Sequence, residues 1–176
     1  MPGTQKRLFL LRHAKSSWDN PGLADHDRRL APRGRRGAKA IAKHLRREGI
    51  EPDVVLCSSA RRARETLEGV VPALAGEPAV VIEPELYGAS ASGLLERLRR
   101  LPAETGSVML VGHNPAMQEL ALSLARGGSP ERAAIAAKYP TAGLATLSFE
   151  GSWSELDAGA AELVDFVTPK SLKREG

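Results

Sequence analysis

The chain has 176 residues, of which 42% are apolar and 26% charged, so the expectation is one globular domain over residues 1–176 with a real hydrophobic core. No apolar run approaches the ~20 residues of a membrane span, and the N-terminal stretch MPGTQKRLFLLRHAKSS is too weakly apolar for a signal peptide, so no membrane partner and a cytoplasmic location are expected. One cysteine, Cys57, excludes an internal disulfide framework, and the net charge is +4, from 25 basic and 21 acidic residues, with a distribution that says more than the total.

In chain order, an apolar strand near Arg7–Arg12 runs directly into Arg12-His13. The polar stretch SSWDNPGLADHDRRLAPRG that follows reads as a loop. A helix from about Gly34 to Glu48 sets Ala38, Ile41, Ala42 and Leu45 on one face, with Gly49 at the C′ position. Its other face repeats Arg35, Lys39, Lys43 and Arg47, the pattern of a solvated surface, and His44 is expected to lie exposed among them. DVVLC (53–57) is the second strand, with Cys57 as a small core residue, and a helix from about Ser59 to Val70 ends before Pro72. AVVIE (79–83) and SVMLVG (107–112) are the third and fourth strands; SGLLERLRRL is the helix between them. A helix from Pro115 to about Arg126 follows, then the loop KYPTAG. LATLSF and AELVDFV are two later strands with only a turn-rich link between them, which predicts antiparallel pairing.

This alternation predicts an α/β three-layer sandwich around a mostly parallel central sheet of about six strands. In such sheets ligands gather outside the carboxyl ends of the strands. Three of those ends carry groups suited to phosphate. The first delivers Arg12 and His13, with Lys15 just beyond. The second delivers SSARRARET, where Ser58 or Ser59 is the expected N-cap and Arg61, Arg62 and Arg64 occupy the first helical turns. Cations there oppose the helix dipole unless an anion is bound. The fourth delivers VGHNPA, in which Asn114 is the expected N-cap, Pro115 the first helical residue, and His113 sits at the turn. Between Arg28 and Arg64 there are twelve Arg or Lys residues and only three acids, a bias that suggests an anionic partner. With aromatics at 4%, single-stranded nucleic acid has little to stack on, and no nucleic acid is expected.

The four histidines (13, 26, 44 and 113) have no short ligand spacing, so no metal site is expected. Neither a G-x-S-x-G elbow nor a G-x-x-x-x-G-K-[ST] loop is present, which removes serine-hydrolase and P-loop chemistry.

Taken together, LRHAKSSW, SSARRARET and VGHNPA resemble the R-H-G opening, the S-x-x-x-R-A-x-x-T segment and the late G-H of the histidine phosphatase superfamily, and the order matches over most of the chain. The short length, with RHAKSSW, LAPRG and PELYG, looks most like the SixA-type phosphohistidine phosphatase branch. The resemblance implies a phosphoglycerate mutase-like fold and a phosphatase that needs no cofactor. It implies His13 as the nucleophile that becomes a phosphohistidine, with Arg12 and Arg62 clamping the phosphoryl oxygens and His113 donating to them. Lys15 and Asp19 are the expected substrate-binding neighbours. Glu85 in PELYG aligns roughly with the family's proton donor, and Asp19, Asp25 and Asp27 are rivals for that role. Ala14 stands where glycine is common, which requires a negative φ, and Asp19 stands where mutase-like members carry asparagine. The implied partner is a phosphorylated protein, phosphohistidine above all, or a small phosphate compound; a phosphate-binding module without turnover is the alternative of another class.

Overall fold

A computed structural model describes residues 5–175. Six strands, β1 (Gln5–Arg12), β2 (Val54–Ser58), β3 (Ala79–Glu83), β4 (Ser107–Gly112), β5 (Leu144–Glu150) and β6 (Glu162–Val167), form one sheet in the order β3-β2-β4-β1-β5-β6. β1, β2, β3 and β4 are mutually parallel; β5 runs antiparallel to both β1 and β6. The sheet is therefore mostly parallel, as expected, and the two late strands pair antiparallel.

The central strands read as unbroken apolar runs because both of their faces are covered. Successive side chains point to opposite faces. Leu8, Leu10, Leu56, Val108 and Leu110 face one core with α3 (Ala91–Arg99), α4 (Ala116–Leu124) and α5 (Pro130–Ala137). Phe9, Leu11, Val55, Cys57, Met109 and Val111 face the other with α1 (Pro32–Arg47), α2 (Arg61–Val70) and the C-terminal α6 (Pro169–Glu175). Cys57 is fully buried, which pushes its thiol up to about 12 and makes it inert packing. β3 is the exception. It is an edge strand, and Val80, Val81 and Ile82 stay 39–45% exposed.

Several boundaries differ from expectation. α1 begins two residues early, because Pro32 is well placed in a first turn. Gly49, at φ +64°, closes the helix as expected. His44 is not exposed: it is 7% accessible, set against the core beside Leu45. α2 starts at Arg61 after Ala60, with no side-chain cap from Ser59. α4 starts at Ala116, so Pro115 is its N-cap rather than its first residue, and Asn114 Oδ1 accepts from Gln118 N. α5 and α6 have no counterpart in the sequence reading; Ser129 caps the first of them. No helix among the described residues is long and apolar enough to cross a membrane.

Candidate active site

The register of the sheet assembles the site. β1 and β4 are parallel neighbours with Arg12 opposite Gly112, so the next residues, His13 and His113, emerge side by side. Their ring centroids are 5.2 Å apart. β2, on the far side of β4, leads into α2 and brings Arg62 to the same place. A cavity of about 630 Å³ opens here, lined by Arg12, His13, Lys15, Arg62, His113, Asp25, Tyr87 and neighbours.

His13 is 7% exposed and its Nδ1 lies 2.8 Å from the Ala14 carbonyl. A carbonyl only accepts, so Nδ1 carries the proton and Nε2 keeps its lone pair for the cavity. Ala14 is itself held: its N–H donates to Thr66 Oγ1 at 2.9 Å, and that hydroxyl donates to the Arg62 carbonyl at 2.7 Å. The S-x-x-x-R-A-x-x-T segment thus ties the main chain that supports His13 to the helix that bears Arg62. Ala14 is not among the residues with positive φ, so no glycine is needed there.

Burial pushes His13 down to about 3, helped by the nearby His113, Arg62 and Arg12 and opposed by the Ala14 bond. His113 is pushed down to about 4, first by burial and then by Arg62. Its Nε2 lies 2.7 Å from Ser58 Oγ, which also accepts from Ala60 N. Both imidazoles are therefore neutral near pH 7. Arg12 is fixed by Nη1 donating to the Tyr139 carbonyl at 2.8 Å, and its buried Nε has no hydrogen-bond partner among the described residues.

Asp25 accounts for the remaining electrostatics. Its Oδ2 accepts from the Tyr87 hydroxyl at 2.5 Å and from Arg62 Nη2 at 3.0 Å, while Oδ1 accepts from Arg28 Nη1 at 3.0 Å. These bonds, Tyr87's first, hold its carboxyl well below the usual carboxylate range against the opposing effect of burial. Arg62 Nη1 also donates to the Asp25 carbonyl. Above the cavity mouth, Arg28 sits under the indole of Trp18, its Cζ 3.3 Å from the ring centroid.

The structure brings together Arg12, His13, Lys15, Arg62 and His113. Glu85 is not with them: it is exposed and lines a separate depression with Glu83, Arg97 and Arg100. The short 3₁₀ turn Pro84–Leu86 sends Tyr87, two residues later, into the cavity instead. Asp19 is exposed and outside the cavity lining, and Asp27 is 60% exposed beside His26. Tyr87, Asp25 and Arg28 lack assigned roles in the sequence reading beyond Asp25's candidacy as an acid. Ser58 and Thr66 are the outer positions of the S-x-x-x-R-A-x-x-T segment, to which the sequence reading gave no part in the chemistry.

A pH dependence follows from the two depressed imidazoles. Below pH 6.5 the unfolded chain takes up protons that the folded chain refuses until about pH 4 and pH 3, so folding stability falls as pH drops through that window. Urea midpoints at pH 7 and pH 4.5 should show a smaller loss in a His13→Ala/His113→Ala variant than in the native chain. Equal losses in the two proteins would contradict the burial of neutral imidazoles. Asp25 adds a loss of the same sign, but only below its ordinary value of 3.8.

The family model for the histidine phosphatase superfamily (branch 1) matches residues 8–91. An uncharacterized protein of Mycobacterium tuberculosis is 39% identical over 165 residues, 91% of this chain and 100% of that one. Two solved structures, both provisionally assigned as the phosphohistidine phosphatase SixA, are similar throughout. The Agrobacterium tumefaciens protein is 35% identical with a TM-score of 0.80, covering 93% of this chain and 98% of its own. The Nakamurella multipartitia protein is 31% identical with a TM-score of 0.83, covering 96% and 99%.

Proposed function

Because this chain belongs to the histidine phosphatase superfamily, on its SixA-type branch, and is a phosphatase, we propose that it removes phosphate from phosphohistidine in proteins, with His13 as the nucleophile. His13 Nε2 attacks phosphorus in line with the leaving nitrogen; the Nε2–P bond forms as the substrate's N–P bond breaks. The substrate's ring, protonated at its other nitrogen, departs as a neutral imidazole, and the electron pair of the broken N–P bond stays on the nitrogen it leaves. Arg12 and Arg62 neutralise the phosphoryl oxygens, and His113 donates to them as charge shifts in the transition state. Binding of the phosphate anion opposes the factors that depress His113, so its imidazole takes up a proton in the complex. Water then attacks phosphorus, the Nε2–P bond breaks, and inorganic phosphate leaves.

One observation carries the choice of substrate. The carboxylate that lines the cavity, Asp25, is held ionised by Tyr87, Arg28 and Arg62, while Glu85 and Asp19 lie outside. An alkoxide leaving group needs a strong acid close by; an imidazole departs without one. Rates should therefore follow leaving-group ability. A phosphohistidine peptide and an aryl phosphate should exceed alkyl phosphates in kcat/KM by roughly 10²–10⁴, the usual contribution of a general acid. Alkyl esters hydrolysed as fast as the phosphohistidine peptide would overturn the reading in favour of a small-molecule phosphomonoesterase.

A further inference from the structure

From Arg28 to Arg47 the sequence holds nine arginines and lysines and no acid. α1 supplies most of them, and its helical spacing gathers Arg33, Arg36, Lys39, Lys43 and Arg47 along one exposed stripe. Among the described residues none of these five forms an ion pair, whereas on the other side of the molecule Arg97 pairs with Glu83 and Arg99 with Asp157. α6 packs beside α1, with Pro169 against Gly37, and exposes Lys170, Lys173 and Arg174. The stripe is continuous with the catalytic cavity. Ala31 N donates to the Lys15 carbonyl at 2.9 Å, Gly34 presses on the same carbonyl, and the Lys15 side chain lines the cavity. Trp18, 71% exposed, stands at the rim as an aromatic anchor over Arg28.

A cationic face of this density, with no carboxylate paired to it, is held in place at a cost in self-repulsion. A free phosphate compound would be served by the cavity alone and would never reach Lys39 or Lys43, two to three helical turns away. We infer that the α1–α6 face is the docking platform for the phosphoprotein itself, and that the partner presents an acidic surface around its phosphohistidine. The inference rests on the phosphohistidine reading above and gives its substrate a surface chemistry. A membrane fits less well, since the apolar face of α1 is buried in the core and cannot insert. Nucleic acid fits less well too, because neither α1 nor α6 carries an aromatic residue for bases to stack on.

The test uses the full chain and an Arg36→Glu/Lys39→Glu/Lys43→Glu variant, none of whose changed residues touches the cavity. Two substrates are compared at 50 and 300 mM NaCl: a histidine-phosphorylated protein of net negative charge, and phosphoramidate. At low salt the variant should lose about 10-fold or more in kcat/KM on the phosphoprotein, with phosphoramidate unaffected, and the loss should shrink at high salt. An unchanged phosphoprotein rate would overturn the inference, as would equal losses on both substrates. So would a native chain that binds RNA or anionic phosphatidylserine vesicles through these residues more tightly than it binds the phosphoprotein. If instead the native chain releases no phosphate from any histidine-phosphorylated protein while hydrolysing esters, the phosphohistidine reading itself fails.

Discussion

Changing His13 to alanine should reduce turnover on the order of 10⁴-fold or more and remove the covalent phosphoenzyme. The size of the effect follows from the geometry. The imidazole is the group whose free nitrogen is fixed toward the cavity by a bond at the opposite nitrogen, 2.8 Å from the Ala14 carbonyl. Its depression to about 3 keeps that nitrogen unprotonated across the physiological range, so no base is needed to activate it. His113, depressed for similar reasons, lacks this support: its Nε2 is engaged by Ser58, and among the described residues no main-chain carbonyl bonds the ring. Rapid quench with labelled substrate should trap an acid-labile, base-stable phosphoprotein in the native chain and none in the His13→Ala chain. With His113→Ala the phosphoprotein should still form, more slowly. Undiminished turnover by the His13→Ala chain would remove the proposed mechanism.

The second large effect concerns a residue with no polar side chain. A Cβ placed on Gly34 would lie 2.0 Å from the Lys15 carbonyl oxygen, a contact with main chain that no rotamer relieves. Glycine to alanine inside a helix ordinarily gains about 0.5–1 kcal/mol. Here Gly34→Ala should do the reverse and destabilise by about 3 kcal/mol or more, since α1 must move off the strand end. Activity should fall as well, because the carbonyl being pushed belongs to the segment that positions His13 and Ala14. Urea denaturation checks the first statement and kcat on an aryl phosphate in the folded fraction checks the second. A stabilised Gly34→Ala chain would mean that α1 does not approach β1 this closely.

The strands and their chemistry are legible in the sequence for a common reason. A strand covered on both faces needs a continuous apolar run, so LFLL, VVLC and VMLV are conspicuous, and so is any polar residue at their carboxyl ends. Arg12, His13 and His113 stand out by that contrast, whereas Arg62 is separated from Arg61 and Arg64 only by the family motif. Glu85 illustrates the opposite case. It sits in the expected segment, but a single 3₁₀ turn decides whether residue 85 or residue 87 faces the cavity, and nothing local to PELYG encodes that choice. Asp25 was one carboxylate among several in a polar loop; its role depends on Arg62, 37 positions away, and on Tyr87, 62 positions away. His44 misled for a related reason. Lys43 precedes it and Arg46 and Arg47 follow just after Leu45, yet the helical angle turns it toward the core. α5 and α6 are short, and helices of eight and seven residues leave too few turns for a periodic signal to rise above composition.

The pairing of Arg12 with Gly112 has a consequence for how robust the chemistry is. Neighbouring strands lie about 4.8 Å apart by the length of their hydrogen bonds, and the two catalytic-site rings, one residue further on, are 5.2 Å apart. The separation of the two rings thus starts from the spacing of the strands, and the bonds to the Ala14 carbonyl and to Ser58 then fix how each ring is turned. Substitutions in either core can soften the protein or lower its melting point without changing the gap into which a phosphoryl group must fit. The starting distance between the two rings is therefore inherited from strand pairing, a feature shared by every parallel pair of strands.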